Sequence, residues 1–335
     1  GDLGGFAFRN LDEPCKNSFD DREGNRYITC INADISDADS NLGIVTARGN
    51  WKGKTKGGLV RTRDNFKTFE RISMPFGINA EIDRKLHEIE NPNVNAGWVA
   101  MSPDGTNIVW SVADGIRLPV ELVIISNDGG KNFQKAGVFD LKGNPVKKGY
   151  LKVFSDRTGN DLFYGFGGAS EIYVSRDGGK NFYQKQPEET FPICDFGYID
   201  TANKTEVRGE GGKSGVFYMA LGDAGLYKFC YDTGTDEIHV KRLTDAKDAC
   251  YRMGLGVIGE GREYLTEEKA IYFCGRLDGE YGFYRTLDEG KSYERLNREN
   301  QMYGEINSID GDKRKFGRFF LATGSRGVLY GEMLK

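Results

Sequence analysis

Short runs of apolar residues alternating with polar ones recur along this 335-residue chain, each bounded by glycine, asparagine, aspartate or serine. A period of two predicts half-buried strands joined by tight turns. Arg26 to Asn32, Gly43 to Ala47, Gly58 to Thr62 and Phe69 to Ile72 predict the first strands. Gly97 to Met101 and Asn107 to Ser111 flank the turn Ser102-Pro103-Asp104-Gly105, a hairpin signal, and Leu122 to Ser126 follows. Leu151 to Ser155, Leu162 to Gly165 and Ile172 to Ser175 predict a third group, and Gly215 to Ala220 with Gly225 to Phe229 a fourth. Ala270 to Cys274, Gly282 to Arg285 and Tyr293 to Leu296 predict a fifth, and Arg318 to Thr323 with Gly327 to Gly331 close the chain. Long apolar stretches of helical period are absent, and the helix-tolerant segment Ala80 to Glu90 reads as a loop insertion.

The turns repeat. Ser126-Asn127-Asp128-Gly129-Gly130-Lys131-Asn132-Phe133 recurs as Ser175-Arg176-Asp177-Gly178-Gly179-Lys180-Asn181-Phe182, a pattern S/T-x-D-x-G-x-x-aromatic. Thr286, Asp288, Gly290 and Tyr293 keep every position; Thr62, Asp64 and Phe69 keep all but the glycine, which is Phe66. The aspartate accepts hydrogen bonds from the turn backbone, the glycine supplies a positive φ, and the aromatic packs beneath its own hairpin. Asp128, Asp177 and Asp288 are on this reading structural turn acids. The motif resembles the Asp-box hairpin of sialidase-like β-propellers. Copies begin at 62, 126, 175 and 286, so the intervals are 64, 49 and 111, the last two blades long. A blade whose box is replaced by Tyr231-Asp232-Thr233-Gly234 fills that gap. The fold expected is all-β: one propeller domain over residues 1–335, seven-bladed, closed by strands from both termini sharing a blade.

Composition narrows the function classes. Forty-six glycines, eight prolines, 12% aromatic and 29% charged residues suit strands and polar turns. A net charge of -4 argues against nucleic acid, which needs clustered Lys and Arg, and no stretch approaches the roughly 20 apolar residues of a membrane span. Six cysteines without CxxC spacing and two histidines argue against a metal site, and nothing calls for a cofactor. Cys15 with Cys30 and Cys230 with Cys250 are the shortest disulfide closures, with buried free thiols the alternative. The chain begins at Gly1 without an apolar leader, as expected of a processed product or an excised piece.

The segment 282–297 with its box, Met302-Tyr303-Gly304, and the segment 317–331 (Gly317-Arg318-Phe319-Phe320-Leu321-Ala322-Thr323-Gly324 through Gly331) are similar to the C-terminal end of glycoside hydrolase family 74. Val99-Ala100-Met101-Ser102-Pro103-Asp104-Gly105 and Gly222-Asp223-Ala224-Gly225-Leu226-Tyr227 also resemble strings of that family. Its members are secreted xyloglucan-cleaving enzymes of two tandem seven-bladed propellers, and the similarity covers the second. Gly1-Asp2-Leu3-Gly4-Gly5-Phe6 resembles the family's G-D-x-G-G-F segment, which implies Asp2 as general acid. Two departures stand out: Phe8-Arg9-Asn10 replaces His-Asp-Asp, and Gln301-Met302-Tyr303-Gly304 replaces His-Gln-Tyr-Gly.

Inverting hydrolysis of a β-glucan link needs a carboxylic acid at the leaving oxygen and a carboxylate activating water, about 6.5 to 9.5 Å apart. The resemblance places the base on an N-terminal propeller, so this chain supplies the acid and part of the cleft. Asp34 and Asp37 are alternative partners for Asp2 within the chain, though they read as structural loop acids. Sugar rings stack on aromatics while polar groups read their hydroxyls. Trp51 is the best candidate platform, Trp98 a platform or core residue, Trp110 core, and Tyr303 with Gln301 contact candidates by the family loop. The rival readings are a sialidase, disfavoured by the lack of an early Arg-Ile-Pro-like segment, and a non-catalytic carbohydrate-binding or interaction propeller.

Overall fold

A computed structural model describes residues 5–15, 19, 27, 29–48, 57–72, 96–113, 119–146, 151–168, 171–191, 205–265 and 268–333. Among them are six sheets, antiparallel but for one edge pairing, and no helix. The first sheet holds β1 (Thr29–Ile35), β2 (Gly43–Arg48), β3 (Gly58–Thr62) and β4 (Glu70–Ile72). The second holds β5 (Ala96–Met101), β6 (Ile108–Ala113), β7 (Pro119–Ser126) and β8 (Gln134–Lys135). After β9 (Gly137–Phe139) the third follows as β10 (Lys152–Ser155), β11 (Phe163–Gly168), β12 (Glu171–Ser175) and β13 (Asn181–Lys185), with β9 pairing in parallel on the edge of β13. The fourth holds β14 (Thr205–Gly209), β15 (Val216–Leu221), β16 (Leu226–Asp232) and β17 (Glu237–Arg242). The fifth holds β18 (Ala249–Val257), β19 (Lys269–Leu277), β20 (Glu280–Thr286) and β21 (Glu294–Arg295), and the sixth β22 (Ile306–Gly311), β23 (Phe319–Thr323) and β24 (Val328–Gly331).

Each sheet runs in chain order from its first strand outward, except that β9 is added at the far edge of the third. First strands pack in succession: β1 on β5, β5 on β10, β10 on β14, β14 on β18, β18 on β22. Apolar clusters fill the space between neighbouring sheets. Ile44, Leu59, Val99 and Trp110 join the first two, and Phe166, Phe217 and Phe229 the third to the fourth. Met253 and Phe273 meet the fourth sheet, and Tyr272 meets Phe319 of the sixth. Radial sheets whose inner strands face a common axis make a single β-propeller.

The four boxes share one geometry. Ser126 Oγ donates to Asp128 at 2.7 Å and accepts the Gly130 N–H at 2.9 Å, while Asp128 accepts the N–H groups of Lys131 and Asn132 at 2.9 Å each. Asn132 Nδ2 completes the turn at 2.7 Å from Asp128 Oδ2, and Asn181, Ser292 and Thr68 do the same in the other copies. Phe66 adopts the left-handed conformation of the box glycine: its φ is 60°, against 83° at Gly130, 89° at Gly179 and 84° at Gly290. Gly129 N donates to Thr106 O and Gly178 N to Asp161 O, both at 2.9 Å, so each turn docks on the first hairpin loop of its own sheet.

Some expectations are corrected or fall elsewhere. Six sheets are described where seven were expected. Among the described residues the terminal segments make side-chain contacts: Tyr330 of β24 donates to Asp12 at 3.0 Å, Arg9 donates to Asn65 O at 2.7 Å, and Phe19 packs on Phe69 beside the first sheet. Cys30 and Cys230 are free thiols, which overturns both short disulfide closures; Cys15 donates to Ala7 O. The segment 80–90 lies outside the described residues.

Candidate functional site

In a sheet entered at its inner strand, the first-to-second and third-to-fourth turns fall at one end of the strands. The second-to-third turns and the sheet-to-sheet connections fall at the other. Contacts between sheets follow this division. At the box end, Ser36 Oγ donates to Pro103 O at 2.5 Å and Gly215 N to Asp156 at 2.7 Å; at the opposite, entry end, Gly222 and Cys250 exchange backbone hydrogen bonds at 2.8 Å.

Asp34 and Asp37 close β1 at the box end, where both bind Arg157. Arg157 Nη1 lies 3.1 Å from Asp34 and its Nε 2.6 Å from Asp37. Asp34 also accepts the Met101 N–H at 2.8 Å. These contacts make them structural acids that tie the first, second and third sheets together.

The sequence candidates that are described stand at the entry end, on different sheets. Trp98 opens β5, half-buried against the core of the second and third sheets, with the buried Lys152 Nζ 4.8 Å from its ring centroid. Trp110 is fully buried. Gln301 and Tyr303 occupy the connection into β22. The Gln301 side chain accepts the Arg298 N–H at 3.0 Å, so it caps its own turn. Tyr303, at φ 54°, stacks parallel on Phe283 with centroids 6.3 Å apart. Asp2 and Trp51 lie outside the described residues.

Sequence reasoning missed the neighbours of Tyr303. Rings continue from Phe283 to Tyr281 at 6.4 Å and from Tyr281 to Tyr251 at 6.4 Å, a ladder along the entry end of the fifth sheet. Tyr251 donates to Asp223 Oδ1 at 3.0 Å, and Arg276 reaches the same oxygen at 3.3 Å. Burial first, and then Asp223, raise the Tyr251 phenol, keeping it a neutral donor. Beneath them Arg252 donates to Asn307 O at 2.8 Å and to Tyr251 O at 2.9 Å, fixing β18 against β22. Half-exposed rings beside an acceptor and a guanidinium can stack a sugar face and read its hydroxyls. The signal available in the sequence was the period-two spacing of Tyr281 and Phe283 across from Tyr251. Among the described residues no group of three or more His, Cys, Asp or Glu could hold a metal ion, and no helix is long and apolar enough to cross a membrane.

No protein-family profile matches the chain. A xyloglucanase from a Paenibacillus species is 32% identical over 238 residues, 70% of this chain and 20% of that enzyme. Xyloglucanase Xgh74A of Acetivibrio thermocellus is 27% identical over 245 residues, 72% of this chain and 25% of its own length. The chain thus spans a fifth to a quarter of these relatives. Among solved structures, the GH74 xyloglucanase of Xanthomonas campestris superposes with a TM-score of 0.70 at 21% identity, over 100% of this chain and 41% of that one. The chain is a homologue of the xyloglucanases of glycoside hydrolase family 74, matching one part of their length.

Proposed function

We propose that this chain is the C-terminal, second propeller of a secreted glycoside hydrolase that cleaves the β-1,4-glucan backbone of xyloglucan with inversion. The observation that carries this reading is the 32% identity with a xyloglucanase over 238 residues. The domain spans 1–335 as a seven-bladed ring of the Asp-box type, its termini completing the seventh blade. Asp2 is the general acid, and an N-terminal propeller brings the general base across the cleft; the chemistry uses carboxyl groups alone and no cofactor. Trp51, Trp98, Tyr303 and Gln301 contact the substrate, joined by Tyr251 and Tyr281. A propeller holding the acid without its base binds the polymer but does not turn it over, so isolated residues 1–335 retain xyloglucan without hydrolysing it.

The test is Asp2→Asn in the complete two-propeller polypeptide. Its kcat on xyloglucan falls by about 10²- to 10⁴-fold, the usual contribution of a positioned acid, while polymer binding persists. Unchanged turnover removes Asp2 from the mechanism, and a product retaining the anomeric configuration removes the inverting pair.

A further inference from the structure

A groove at the box end carries a second constellation. It has a cavity volume of about 240 Å³ and runs between the third box and the turn where the fourth sheet has lost its box. Asn181, Tyr183 and Lys185 face it from one side of β13; Val174 and Arg176 come from the end of β12. Across the gap stand Tyr231 and Asp236 of the fourth sheet. Asp236 sits at φ 64° in the replacement turn, accepts the Tyr231 hydroxyl at 2.6 Å and pairs with Lys185 of the neighbouring sheet.

Tyr183 is the unusual member. It is 44% exposed, although it lies opposite Phe139 in the parallel β9–β13 ladder and the two rings stack at 4.8 Å and 14°. One face of the tyrosine is braced and the ring borders the groove. Two cations, Arg176 and Lys185, are balanced there by two carboxylates, Asp177 and Asp236. Asp177 is committed to its own turn by Ser175 and Asn181. A charge-balanced groove offering both donors and acceptors gives no net attraction to an ionic ligand. It fits an uncharged polyhydroxylated one, whose hydroxyls exchange with the Lys185–Asp236 pair while an apolar ring face lies on Tyr183. The volume is below the roughly 300 Å³ at which whole drug-sized ligands fit, so it holds about one sugar residue.

We infer that this groove is a second, non-catalytic binding site for a neutral glycan, at the opposite end of the propeller from Trp98 and Tyr303. Its ligand class rests on the proposed polysaccharide substrate, and its location does not. A chain held here lies outside the cleft, so the site anchors the protein to polymer without adding to the chemical step.

Affinity electrophoresis of the 335-residue chain through gels containing tamarind xyloglucan tests it, with carboxymethylcellulose as the charged control. Tyr183→Ala weakens retardation by xyloglucan about fivefold, the worth of one lost stacking contact, while Tyr183→Phe keeps it. Trp98→Ala, at the other end, reduces retardation additively with Tyr183→Ala, and circular dichroism confirms the folding of each variant. Retardation of Tyr183→Ala equal to the parent overturns the site, as does absence of parent retardation in xyloglucan, or stronger retardation in the charged polymer. Loss confined to Trp98→Ala overturns this groove alone and leaves the substrate reading standing, whereas unchanged turnover by Asp2→Asn in the two-propeller polypeptide strikes the catalytic reading alone.

Discussion

Arg157, following β10, bonds Asp34 at the end of β1, with Nη1 3.1 Å from Oδ1. The same guanidinium reaches Asp37, the Ser155 hydroxyl at 2.8 Å and Ile35 O at 2.6 Å. One side chain therefore stitches the third sheet to the first across the inner edge of the second. The inner strands of a propeller converge where little apolar surface is available, and charge pairs take over there.

Replacing Arg157 by Met leaves the Asp34 carboxylate largely enclosed without its cation. Removing one partner of such a pair costs about 3–5 kcal/mol, more than the pair itself contributes. Urea unfolding of Arg157→Met should show a loss of that size, and Asp34→Asn in the same background should recover part of it. A change within about 1 kcal/mol would show that water already serves these groups.

The box acids predict how the fold responds to acid. Hydrogen bonds from Thr68, hydroxyl first and then backbone, bring Asp64 down to about 2, and the Asn132 N–H leads those holding Asp128 below the usual carboxylate range. The Ser292 hydroxyl does the same for Asp288. A folded-state value below the unfolded one, about 3.9, means stability that is complete above pH 4 and lost as pH falls toward 2. Thermal melts should drop steeply between pH 4 and 2. Asp128→Asn should melt lower at pH 7 and lose less on acidification; a parent midpoint unmoved at pH 2 contradicts the linkage.

What was legible in the sequence follows from where each strand lies. Third strands such as β3 and β12 were readable because they are apolar on both faces, Leu59 and Val60 facing opposite clusters in β3 and Ile172 and Tyr173 in β12, and because their ends carry the box. The inner strands β14, β18 and β22 were missed. Their polar and glycine residues, Arg208, Arg252, Gly254, Gly256, Asp310 and Gly311, read as loop, whereas at the crowded axis they are what fits. Lys313 bonds Asp310, three residues before it, and also Leu255 O on a distant strand, a contact that no local pattern reveals. At the candidate site the aromatic types were readable, but not which ring packs on which: Tyr303 rests on Phe283, and Tyr251 is placed by a register set between β18 and β19.

The axis glycines give the third prediction. A Cβ on Gly254 would lie 2.4 Å from both Asp310 Cα and Ile309 O, and one on Gly256 3.0 Å from Gly311 Cα. These are backbone atoms of the adjacent inner strand and cannot swing aside. Gly254→Ala should therefore cost more than the 1–3 kcal/mol typical of an overpacked core, and should give insoluble or molten protein. Gly159→Ala, with nothing within 4 Å, is the control and should melt like the parent. A cooperative Gly254→Ala melt within a few degrees of the parent would mean that β18 and β22 are less tightly apposed.

Phe66 sets two effects against each other. At φ 60° it holds a conformation that costs a bulky side chain about 1–2 kcal/mol, which Phe66→Gly would relieve. Against this, its ring packs edge-on to Phe69 at 6.1 Å and beside Phe19 at 6.1 Å, and it fills the space over Gly43, whose Cβ would lie 2.5 Å from Phe66 Cζ. Full truncation of a buried phenylalanine costs about 3–5 kcal/mol; this ring is half-buried, so the lower end applies. Packing wins by about 1–2 kcal/mol on these magnitudes, and Phe66→Gly should lower the melting temperature although it restores the motif's own glycine. Gly43→Ala should add little to Phe66→Gly but should destabilise the parent, because the ring that excludes a side chain at residue 43 is gone in the first case and present in the second. Equal costs of Gly43→Ala in the two backgrounds would show that the two residues do not share this space.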